Sequence, residues 1–190
     1  MSHELEMIDG VAQMAYAGET PWHGLGTKVS NDMSPVQMMQ KAGLDWTVSK
    51  VPSYVRVGDQ EIETGMEALV RSSDSKVLTQ VGGNWNPVQN EEAFEFFAEY
   101  VNAGDMEMHT AGSLKEGKMV WAMAQIKDSF ELFGGDKVEG YLLFSNPHEF
   151  GRSIDIRFTP VRVVCNNTMT MALDQEAKHF VKINHRSRFN

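Results

Sequence analysis

Met119–Ala124 leaves the fold least freedom. Met119, Val120, Trp121, Ala122, Met123 and Ala124 are all apolar, so neither face of a strand built from them can meet water. Such a strand belongs at the centre of a sheet covered on both sides. Strand-like pieces surround it at Met106–Ser113, Lys118–Ile126, Lys137–Ser145 and Arg152–Val164. In the last of these Ile154, Ile156 and Phe158 alternate with Ser153, Asp155 and Arg157, a period of two with one apolar face. Pro160 has no N–H to give a ladder and marks an edge or a bulge. Asn166, Asn167 and Thr168 then offer oxygens to a first helical turn, and Met169, Ala172 and Leu173 share one helical face.

Two earlier helices are legible. Met33-Ser34-Pro35-Val36-Gln37 carries a cap, a proline at the first helical position and a glutamine that completes a capping box; Gly43 ends that helix. The main helix runs over about 90–103. Asn90 is its expected cap, Glu91 and Glu92 suit its positive end, and Phe94, Phe97, Ala98 and Val101 form its apolar stripe. Between the two lie strand-like pieces at Trp46–Val57, Glu61–Arg71 and Lys76–Val81, with Asp74-Ser75 as a hairpin turn. Glu61, Glu63 and Glu67 alternate with Ile62, Met66, Ala68 and Val70, which predicts a half-buried strand with its acidic face in water. The expected architecture is a single α+β domain over 1–190: an antiparallel sheet covered by helices. An N-terminal strand and loop segment fills 1–32, and a basic strand or tail fills 175–190.

Composition narrows the function classes. Hydrophobic residues are 42% of the chain, enough for a sizeable core. Cys165 is the one cysteine, so no internal disulfide forms, which fits a reducing compartment. The polar, acidic start Met1–Glu6 does not read as a signal peptide, and no apolar run reaches spanning length. A cytoplasmic protein is expected. The net charge of −9 argues against wholesale nucleic-acid binding. Yet residues 150–190 hold seven basic and three acidic side chains, against ten and twenty-three in the remainder. A local anion site at the C-terminal end is compatible with that imbalance.

Most motifs with chemistry are incomplete. The six histidines are scattered without metal-ligand spacing. Gly24-Leu25-Gly26-Thr27-Lys28 lacks the full phosphate-loop pattern and reads as a tight turn held by Trp22. Cys165, with His148 or His185 as base, would need a third group. Glu61, Glu63 and Glu67 suit solvent better than a cation. No catalytic residue, metal or cofactor is assigned. Lys178, Phe180, Lys182, Arg186 and Arg188 share one parity of the last strand. Cations along a backbone with an aromatic plane for bases are what single-stranded nucleic acid requires. Arg152, Arg157 and Arg162 would extend that groove, and Trp22 and Trp85 would add stacking surfaces; packing in the core or a loop is the plainer role for either tryptophan.

Four segments carry a resemblance: His3-Glu4-Leu5-Glu6; Met14-Ala15-Tyr16 followed by Pro21-Trp22-His23-Gly24-Leu25-Gly26-Thr27; Trp85-Asn86-Pro87-Val88-Gln89-Asn90; and Arg162-Val163-Val164-Cys165-Asn166-Asn167-Thr168. Together they resemble the phage/plasmid-like proteins, a domain of unknown function in phages and mobile elements. That resemblance implies a kinship with single-strand annealing recombinases, which assemble as rings or filaments along DNA; it implies that the antiparallel sheet is curved and that a phage-encoded chain works in the host cytoplasm. The expectation is non-catalytic single-stranded DNA binding by a homo-oligomer, supporting annealing or recombination, with no membrane partner. An assembly or host-defence-countering factor, and a nuclease or hydrolase, are the alternatives.

Overall fold

The computed structural model describes residues 4–127, 130–131, 137–138, 140–174, 179–183 and 185; of 130–131, 137–138 and 179–183 it gives the backbone alone. Strands β1 (Met7–Ile8), β2 (Val11–Ala12), β3 (Met14–Tyr16) and β4 (Thr27–Lys28) precede helix α1 (Pro35–Lys41). Then come β5 (Val48–Val57), β6 (Gln60–Arg71), β7 (Val77–Val81) and α2 (Asn90–Ala103). β8 (Glu107–Leu114), β9 (Met119–Gln125), the short β10 (Phe130–Glu131) and β11 (Lys137–Val138), and β12 (Tyr141–Pro147) follow. β13 (Ile154–Thr159), α3 (Asn166–Asp174) and β14 (His179–Ile183) complete the order.

The apolar run becomes β9, with β8 on one side and β12 on the other in an open seven-stranded sheet ordered β14-β13-β12-β9-β8-β3-β4. Every pairing is antiparallel except β3 with β4. Alternation along β9 sorts its side chains into two cores. Val120, Ala122 and Ala124 join Phe144 and Ile156 beneath α1 and α2, whereas Met119, Trp121 and Met123 join Leu143 beneath α3 and the N-terminal segment. The fold therefore combines helices with mostly antiparallel sheets, as expected. Among the described residues no helix is long and apolar enough to cross a membrane.

Local signals hold at α1. Ser34 accepts from the Gln37 N–H, Gln37 returns the bond to the Ser34 N–H, and Gly43 adopts a positive φ of 76° after the last turn. At α2 the cap differs from expectation. Gln89 is the capping residue and makes no side-chain cap bond; its amide instead pairs with Val48, accepting from its N–H at 2.9 Å and donating to its carbonyl at 2.8 Å. Asn90 is the first helical residue, and its side chain turns inward to the Leu44 carbonyl.

β5, β6 and β7 form a separate three-stranded sheet. Its inner end is anchored by Val48, Leu69 and Val81 in the core. The outer part of the β5–β6 hairpin buries neither face, so Ile62 and Met66 stand in solvent along with the acidic parity. That corrects the half-buried reading over the outer part alone: at the inner end both parities are buried, Ala68 on one and Leu69 and Arg71 on the other. β13 departs in the opposite sense. Its polar parity is buried too, because α3 folds back over Asp155 and Arg157.

Candidate nucleic-acid interface

Thr159 ends β13, and Pro160 follows it. The chain then turns into α3 on bonds from one side chain: Thr168 Oγ1 accepts from the Val164 N–H at 2.9 Å and the Cys165 N–H at 3.0 Å. The turn at 21–26 docks onto this joint. His23 Nε2 donates to the Val164 carbonyl at 2.9 Å while His23 Nδ1 accepts from the Leu25 N–H at 3.0 Å, a pair of bonds that fixes one neutral tautomer. His23, rather than Trp22, thus holds the glycine-rich turn. Arg162 ties the same two segments together. Its guanidinium donates to His109 Nδ1 at 3.0 Å and to the Ala17 and Glu19 carbonyls at 3.4 and 2.6 Å. Two of the four segments that carry the resemblance are therefore packed on one another.

The expected groove residues separate into different environments. Arg157 is buried; it pairs with Asp155 at 2.5 and 3.1 Å and donates to the Ala172 and Leu173 carbonyls in the last turn of α3. A cation there satisfies carbonyls that the helix leaves unpaired, so its place beside an open groove is corrected to a structural one. Trp85 is also internal, stacked on His185 with ring centroids 4.4 Å apart; it is core rather than a platform for bases. Trp22 is the reverse, 70% exposed with its ring edge-on to His23. Arg152 is exposed and meets Glu149 at 3.4 Å. Lys178, Arg186 and Arg188 lie outside the described residues, as do the side chains of Phe180 and Lys182. The β14 backbone nevertheless pairs with β13, setting Lys182 opposite Asp155.

Two shallow clefts of about 240 and 120 Å³ share Arg152, Met119 and Leu173 beside α3, and Lys115 lines the smaller. Phe150, exposed two residues before Arg152, was missed in the sequence. Its signal was an aromatic next to a glycine in a turn. A larger cleft, about 810 Å³, includes Arg71, Lys76, Lys115 and Lys118 but also five carboxylates. Its cations are largely spent: Arg71 on Glu6 and Asp74, Lys76 on Glu116.

Beneath the three-stranded sheet lies a buried polar cluster. His148 Nε2 bonds Asn90 Oδ1 at 2.8 Å, and Asn146 donates to the Val88 carbonyl at 3.0 Å. Among the described residues His148 Nδ1 and Trp46 Nε1 find no hydrogen-bond partner, and the two rings stand 5.2 Å apart. Burial, with the charges of His185 and Arg71 nearby, pushes His148 down to about 3. Cys165 is buried as well. Among the described residues no three His, Cys, Asp or Glu side chains gather to hold a metal ion.

Neither a curated protein nor a solved structure matches the chain. A family model does, across residues 77–190, more than half of its length and the part that holds α2, most of the main sheet and the α3 joint. The chain belongs to that family, described as a domain of unknown function (DUF932).

Proposed function

We propose that this protein is a non-catalytic single-stranded DNA-binding component of a phage or mobile element, working as an oligomer in strand annealing or recombination within the host cytoplasm. One observation carries the reading. β14, which holds Lys182 and falls within the most basic part of an acidic sequence, joins the main sheet as an edge strand next to β13. In this reading Lys178, Lys182, Arg186 and Arg188 follow the phosphates, with Arg152 beside them. Phe180, Trp22 and Phe150 offer rings to bases, since stacking is tolerant of sequence. In the same reading the acidic body keeps the rest of the surface clear of DNA.

Titrating a fluorescent oligonucleotide at several salt concentrations tests it. Neutralising several phosphates releases counterions, so affinity falls steeply with salt. The Lys182→Glu/Arg186→Glu variant loses binding while its far-UV spectrum stays unchanged. Wild-type affinity in that variant refutes the β14 groove.

A further inference from the structure

The outer β5–β6 hairpin carries a feature that the DNA reading leaves unused. Val55 stands opposite Ile62 and Val51 opposite Ala68 in the ladder, so alternation places Val51, Val55, Val57, Ile62 and Met66 on one face. Val77 of β7, opposite Val70, extends that face. All six side chains are between 38% and 59% exposed. The charged residues of these strands take the other parity: Arg56 opposite Glu61, Glu67 opposite Pro52, and Lys50 opposite Leu69. Ser49, Gln60, Thr64 and Gln80 share that face, as do the buried Ser53 and Ala68, and none of them is charged.

We infer that this face binds the same face of a second copy, making the hairpin a homodimer contact. It uses the oligomeric half of the proposal above and none of its DNA half. Charge selects the occupant. On a chain of net charge −9 most surfaces repel a second copy, but two uncharged strips do not. At physiological salt, screening over about 8 Å limits the repulsion between charges that lie away from the contact. A basic or acidic partner would find nothing on this face to pair with.

Edge-on pairing is the other way a hairpin recruits a strand. Here β5 is the edge strand, but Gln89 takes the N–H and carbonyl of Val48, Pro52 removes a donor, and the ladder is irregular between Pro52 and Tyr54. Such devices blunt edges. The face remains. Two such sheets stack about 10 Å apart with their strands roughly 30° from parallel, and a two-fold axis near the Val55–Ile62 pair sets each strip on its copy. An exposed apolar patch on a monomer reaches roughly 300–600 Å², less than the roughly 800 Å² per partner of a standard interface. The dimer is therefore expected at the weak, concentration-dependent end of such contacts.

Sedimentation equilibrium from about 1 to 200 µM, without DNA, decides the matter. Wild type shifts from monomer toward dimer across that range. Ile62→Glu, and separately Val55→Thr/Ile62→Thr, which keeps strand-forming residues, weaken the association about ten-fold or more. Arg56→Gln, on the opposite face, leaves it unchanged. A wild-type chain that is monomeric throughout overturns the inference and leaves the strip to a different protein. A dimer that survives both strip variants, or that Arg56→Gln disrupts equally, overturns it too.

Discussion

His148 shows how burial turns a common side chain into a pH-dependent stability element. Its Nε2–H is used by Asn90 while Nδ1 faces no donor, so the native state holds the ring neutral, with a pKa lowered from 6.5 to about 3. The unfolded chain takes up a proton below about 6.5 and the native chain does not. Stability is complete above that pH and declines as pH falls toward 3, by up to about 1.4 kcal/mol per unit. Between pH 7 and 5, urea unfolding of the wild type should lose about 2 kcal/mol more than that of His148→Gln, whose amide can still donate to Asn90. Parallel losses would place the titration elsewhere. Arg71 poses a different question, because its guanidinium meets both Glu6 oxygens at 2.9 Å with both residues buried. Arg71→Leu strands a carboxylate that retains only the Ser113 hydroxyl, at a cost of about 3–5 kcal/mol. The Arg71→Leu/Glu6→Gln pair should recover part of that loss, since no charge is then left buried; thermal unfolding of the three variants gives the comparison.

At the scale of elements, much was legible, and the failures share a cause. The capping box of α1 and the doubly buried β9 rest on patterns that neighbouring residues impose on themselves. α2 was placed to within a residue for the same reason: its stripe sets Phe94 and Phe97 in the core, with Phe97 5.7 Å from Phe144. Phe97→Ala should therefore cost about 3–5 kcal/mol in denaturant unfolding. Phe96→Ala, half-buried against Tyr100, should cost less than half of that; equal losses would mean that α2 is rotated on the sheet. What local pattern could not reveal was which partner comes from far away. Gln89 left its capping role because Val48, forty-one residues earlier, offered two backbone bonds. Arg157 looked like a solvated alternate of Phe158 because nothing in β13 announces that α3 returns over it. Trp22 and Trp85 are equivalent as letters; one lies on a turn that His23 pins from behind, the other under the segment that brings His185 back.

For the whole molecule, the two proposed surfaces lie on different sheets: the basic edge on β14 of the seven-stranded sheet and the apolar face on the β5–β6 hairpin. A chain with both has a division of labour that can be measured. DNA held at one site needs only the β14 edge, so a short oligonucleotide should bind wild type and Ile62→Glu with the same affinity. A long strand brings several copies together, and linked sites gain from their high effective concentration. Loss of the hairpin contact should then weaken binding to a strand several sites long by ten-fold or more and flatten its cooperativity, with the salt slope per site unchanged. Titrations of the two lengths, with Lys182→Glu/Arg186→Glu beside Ile62→Glu, separate the terms. The basic-edge variant should fail on both lengths, the hairpin variant on the long one alone. If Ile62→Glu weakens the short oligonucleotide as much as the long, the hairpin belongs to the DNA site itself and the two surfaces are not independent.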